Sequence, residues 1–132
     1  MALLLLCMGE TIYVLYRPLN LYMFLPFEAT DTLFMIDYIR EIPLFPPKDS
    51  LPEWVIYNLP DGMWLLSYML LMEALWGREN TKFRDFFIWV MPSLIIIWEI
   101  MQYMEVVAGT WDMNDMLSYI FAIVIFLKIT RL

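Results

Sequence analysis

The apolar residues of this chain are gathered into long runs, and Lys and Arg are confined to the stretches between them. Residues 1–16, 61–76, 86–104 and 115–127 contain no Lys or Arg at all. A bilayer core about 30 Å thick calls for roughly 20 apolar residues per helical span. Four such runs in 132 residues leave little chain for anything else. Composition agrees: hydrophobic residues make up 62% and charged residues 17%, against ~45–50% and ~25% in an average soluble domain. A soluble domain this small exposes too much surface to hide that excess. The expectation is a single all-α integral membrane domain over 1–132, with four transmembrane helices. Between spans one and two lies an extracytoplasmic loop, 17–60, carrying a short interfacial helix.

Local signals place the elements. Arg17-Pro18 ends the first run, because proline disfavours helix at the residue before it. Thr30-Asp31 reads as the start of a helix over 32–41, rich in Leu33, Phe34, Met35, Ile36, Tyr38 and Ile39 and suited to the membrane interface. Pro43, Pro46, Pro47 and Pro52 break the chain afterwards. Trp54, Tyr57 and Trp64 are placed as interfacial aromatics. Pro60 and Asp61 suit the first turn of span two. Residues 77–85 read as a polar loop, Pro92 as a tolerated kink in span three, and 105–114 as the last turn.

Basic residues set the orientation. Arg78, Lys82 and Arg84 lie between spans two and three, and Lys128 and Arg131 follow span four, whereas 105–114 has none. The positive-inside rule then puts both termini in the cytoplasm and 17–60 outside, although Arg17, Arg40 and Lys48 remain in that outer loop.

Several chemistries are excluded by what is missing. The chain has no histidine and a net charge of −7, which leaves no imidazole triad, metal site or proton shuttle. It also argues against a nucleic-acid partner. Cys7 stands alone, so no intramolecular disulfide forms. The run before it is too short, and Leu6 too large, for a lipoprotein signal. No cofactor, metal ligand set or catalytic residue is expected.

Ionisable groups within spans are costly and face a partner or cavity. Glu99, Gln102 and Tyr103 share a face of span three by their i, i+3, i+4 spacing. Asp112, Asp115, Tyr119 and Ala122 share one on span four. With Asp61 and Tyr68 from span two and Glu10 from span one, they are expected to converge on an acidic pocket open to the outside. No intramembrane Lys or Arg is in view to neutralise it, and Glu73 lies deeper, towards Arg78. Simpler roles stand beside this one. Asp112 and Asp115 can be helix caps, Glu99 and Gln102 can join helices, and Glu10 can face another subunit.

Glu99-Ile-Met-Gln102, a turn with Gly109-Thr110, and Trp111-Asp112-Met-Asn-Asp115 resemble the E-x-x-Q and D-x-x-D elements of the VanZ-like membrane family. Asp61 with Tyr68 is similar to its earlier D…Y element, and the likeness covers residues 58–125. This chain lacks the family's usual His in that element and Arg in the turn. The resemblance implies a fold, in a bacterial inner membrane, more than an activity. Three functions follow as expectations: a non-catalytic accessory subunit of a larger membrane assembly, with membrane lipid and a membrane protein as partners; a VanZ-like protein binding a small amphiphile or cation in the acidic pocket; and a membrane-embedded hydrolase using Glu99 and Asp115.

Overall fold

A computed structural model describes residues 1–77 and 81–130. They form six α-helices: α1 (Ala2–Tyr16), α2 (Thr32–Glu41), α3 (Glu53–Tyr57), α4 (Leu59–Trp76), α5 (Lys82–Tyr103) and α6 (Met113–Thr130). Short 3-10 turns occupy Tyr22–Phe27 and Lys48–Ser50. No strand occurs among the described residues.

Helix α4 is the axis of the fold. Its buried residues, among them Leu65, Leu66, Met69 and Leu70, form the core with Ile88 of α5 and Ala122 and Phe126 of α6. Helices α1, α5 and α6 pack around it. The Ser67 hydroxyl donates to the Ala2 carbonyl at 2.9 Å, and at the other end of α1 the Arg17 guanidinium donates to the Tyr57 carbonyl at 2.8 Å. These two contacts make α1 antiparallel to α4. Arg84 Nε meets Glu73 Oε2 at 3.1 Å and Trp76 stacks on Phe87 at 5.8 Å, so α5 is antiparallel to α4 as well. Gly62 abuts Ser118, so α6 runs parallel to α4. The result is an up-down-up-down arrangement with an Asp61 end and an Arg84 end.

Two glycines allow this closeness. A Cβ on Gly9 would lie 2.9 Å from Trp64 Nε1, and one on Gly62 would lie 3.0 Å from the Ser118 carbonyl oxygen. Small residues at such crossings let helix backbones approach closely.

The boundaries shift from expectation for identifiable reasons. Helix α5 begins at Lys82, inside the expected loop, because the Thr81 hydroxyl accepts the Arg84 N–H at 3.2 Å and caps it. It runs on through Pro92 and ends in a Schellman arrangement: Val106 N–H to Met101 carbonyl at 2.9 Å and Glu105 N–H to Gln102 carbonyl at 3.0 Å. Glu105 takes the left-handed position there, at φ 56°. Helix α2 keeps the expected limits and leaves Phe34, Met35 and Tyr38 exposed.

Helices α5 and α6 are, among the described residues, the two long and apolar enough to cross a membrane. Only 17% and 11% of their apolar windows are buried, unlike the core helix of a soluble protein. Leu94, Ile97, Trp98 and Ile100 on α5, and Ile120, Phe121 and Val124 on α6, are exposed. An apolar surface this continuous marks contact with lipid or protein. Helix α4 matches α6 at 18 residues but carries Asp61 and Glu73. Helix α1 has 15 residues, about 22 Å at the α-helical rise, and Ala2 is level with the middle of α4.

At the far end Glu73 is held by Arg84, with Asp85 as a second acceptor at 3.1 Å. Glu73 was expected to reach towards Arg78, which lies outside the described residues. The Arg84–Glu73 pair is partly solvated, so Arg84→Gln should cost about 1 kcal/mol. Thermal unfolding in detergent checks this, and a larger loss would mean that the pair anchors α5.

Candidate functional site

The first turns of α4 and α6 meet through one side chain. Asn58 Nδ2 donates to Asp115 Oδ1 at 2.6 Å and to Asp112 Oδ2 at 3.2 Å. Asn58 is the N-cap residue of α4, yet its side chain makes no cap bond there; it crosses to α6 instead. Asp112 does cap α6, since its Oδ1 accepts the Asn114 N–H at 2.9 Å. One carboxylate therefore ends a helix and joins two helices at once.

Arg17 enters from the end of α1. Its Nη2 lies 3.6 Å from Asp61 Oδ2, and its guanidinium stacks between Tyr13 and Tyr57, 5.0 and 4.9 Å from their ring centres. A cation so placed gains from both ring faces as well as from the carboxylate. The expectation of an acidic pocket without a neutralising base is thereby corrected. Arg17 was read as a loop residue just past the first span, but its long side chain turns back over the bundle.

Glu99 sits opposite, on α5. It is buried at 6% exposure, and its Oε2 finds no hydrogen-bond partner. Asp61, Asp115 and Glu99 interact electrostatically across the same space, and Tyr119 shares it. Glu99 and Tyr119 line a groove of about 270 Å3 with Met91, Leu94, Ile95 and Trp98. Glu99 and Met91 are eight residues apart, about 12 Å along a helix, so the groove has a polar head and an apolar shaft. It opens where Leu94 and Trp98 are half-exposed.

Of the residues anticipated from sequence, Asp61, Glu99, Asp112, Asp115 and Tyr119 come together. Three do not. The Tyr68 hydroxyl donates to the Phe87 carbonyl, about two turns below Asp61. Glu10 is half-buried on α1, which packs on α4 rather than α5 or α6, and it makes no hydrogen bond or ion pair among the described residues. The Gln102 amide packs over Gly109, where a Cβ would come within 2.2 Å of its Nε2 at φ 137°, so it braces the turn. Sequence reasoning missed Arg17 and Asn58. Asn58 carries no sequence signal beyond its place just before the helix start.

No group of three or more His, Cys, Asp or Glu side chains among the described residues could hold a metal ion. Comparison with known proteins finds no match: neither a family model, nor a curated protein sequence, nor a solved structure.

Proposed function

We propose that this is a four-span integral membrane protein that binds an amphiphile with a hydrogen-bond-donating, amine-bearing head at Glu99, its apolar tail lying along α5. Helices α1, α4, α5 and α6 are the spans. Lys82, Arg84 and Lys128 lie at the Arg84 end, which by the positive-inside rule supports a reading with that end and both termini towards the cytoplasm of a bacterial cell and 17–60 outside. The observation that carries the reading is the unpartnered, buried oxygen of Glu99 at the head of an apolar groove. A carboxylate in that position costs stability unless something donates to it. Asp115 is tied to Asn58, no nucleophile accompanies Glu99, and the hydrolase reading gains nothing from the geometry.

The test is binding of a long-chain primary amine to the purified protein, compared with the matching alcohol. The amine should bind more tightly, and Glu99→Gln should weaken it about tenfold or more, the worth of one charge-assisted contact. The same variant should be at least as thermally stable as the parent, because it removes an unpaired buried charge. Equal binding by parent and variant ends the reading.

Glu10 favours a second reading, the accessory subunit. It is an intramembrane carboxylate at the edge of the fold with no partner among the described residues, which suits contact with another polypeptide. Mass spectrometry of the protein released gently from native membrane should then show a stoichiometric second chain that Glu10→Leu releases.

A further inference from the structure

Three of the chain's eight basic residues, Arg17, Arg40 and Lys48, line one cavity of about 420 Å3 between the end of α1 and the segment around Pro46. No carboxylate lines it. We propose that this cavity binds a phosphoryl oxyanion, a use distinct from the Glu99 groove and independent of what that groove holds.

The cavity is built rather than incidental. Tyr16 donates its hydroxyl to the Pro46 carbonyl at 3.0 Å, which fixes the proline segment over α1. Arg40 reaches back from α2 to the end of α1, its Nε donating to the Val14 carbonyl at 2.9 Å and its Nη2 to the Arg17 carbonyl at 2.7 Å. A guanidinium there satisfies carbonyls that the helix leaves open and offsets its negative end. That accounts for two of Arg40's nitrogens. The third, Nη1, is 3.9 Å from an exposed Asp37, too far for a hydrogen bond.

More donors than acceptors remain. Lys48 Nζ lies 5.7 Å from the Tyr57 ring and makes no hydrogen bond or ion pair among the described residues. Arg17 Nε is buried without a partner, while its Nη2 donates to the Tyr57 carbonyl at 2.8 Å and lies 3.6 Å from Asp61 Oδ2. Helix capping explains Arg40 alone. An anion with several acceptor oxygens would use Arg40 Nη1, Lys48 Nζ and Arg17 Nη1, the groups of these three side chains that make no hydrogen bond among the described residues, which is the chemistry of phosphate recognition. Partial burial pushes the Arg40 guanidinium down against the pull of Asp37, so an anion would also relieve a desolvation cost the site already bears. The volume is in the range of small-molecule sites. Three basic residues in an outer loop also run against the usual charge bias of membrane proteins, and a shared ligand gives them a reason to be there.

A phosphoryl group can come from a lipid head or from solution, and the experiment separates them. The full chain in detergent is offered phosphatidylglycerol, diacylglycerol and inorganic phosphate, with retention read by native mass spectrometry and phosphate binding by calorimetry. Phosphatidylglycerol held in preference to diacylglycerol, with no binding of inorganic phosphate, identifies a lipid head. Inorganic phosphate that binds alone and competes with the lipid identifies a soluble ligand. In either case Lys48→Glu should reduce binding about tenfold or more, and Lys48→Gln by less. Lys48 is exposed, so the helical content of both variants should match the parent. Failure of both phosphate probes to bind better than diacylglycerol overturns the proposal, as does binding indifferent to both Lys48 variants.

Discussion

Gly62→Leu is expected to separate α6 from α4 and to cost more than about 3 kcal/mol, with Gly62→Ala costing about 1–3 kcal/mol. The reason is what lies opposite. The atoms nearest an added Cβ are the Ser118 carbonyl oxygen at 3.0 Å, its Cβ at 3.2 Å and its carbonyl carbon at 3.3 Å. Two of the three belong to the backbone of a continuous helix, which cannot rotate aside as a side chain can. Relief must come from moving α6 bodily outwards. That movement would lengthen the 2.6 Å bond from Asn58 to Asp115, one turn away, and open the core where Ala122 and Phe126 pack on α4. Steric and polar losses therefore arrive together. Unfolding by heat or by denaturant in mixed micelles measures the effect. A Gly62→Ala protein as stable as the parent would mean that the two helices slide apart freely and that their close approach contributes nothing.

What could be read from the sequence follows from what sequence periodicity encodes. Helical period and capping chemistry are local, so the limits of α2 and the end of α4 at Trp76 were accessible. So was the gathering of Glu99, Asp115 and Tyr119, because each lies on a helix whose direction is set by alternation and whose depth is set by residue number. Tyr68 shows the limit of a face argument. Seven residues beyond Asp61 it returns to the same side of α4, but about 10 Å deeper, where it meets Phe87 instead of the carboxylates. Glu10 shows another limit. The order of helices around an axis is not written in any one of them, and nothing in α1 alone says that it packs mainly on α4. Arg17 and Asn58 were missed for a third reason. Both sit just outside a helix, and only the folded chain shows their side chains crossing to other elements.

Arg17 is where that oversight matters most, and its removal should produce the second large effect. Arg17→Met keeps most of the aliphatic stem against Tyr13 and Tyr57 but deletes the charge. Asp61 and Arg17 are each only 18% exposed in their side chains, so the carboxylate left behind has little access to water. Breaking a fully buried pair from one side costs about 3–5 kcal/mol, mainly because the surviving charge is uncompensated, and this partly exposed pair should cost about 2 kcal/mol. Asp61 would also face Asp115 and Glu99 without Arg17 to offset them. The loss should therefore be largely reversed by Asp61→Asn in the same chain, since a neutral amide needs no counter-charge. Recovery of more than half the stability in the double variant, measured by thermal unfolding alongside both single variants, is the expected result. If Arg17→Met alone is harmless, the pair is not what holds the Asp61 end together. If the double variant is as unstable as the single, the cost lies in the lost bond to the Tyr57 carbonyl and the stacking on the two tyrosines, and Arg17 acts as a structural clasp between α1 and α3 more than as a counter-ion.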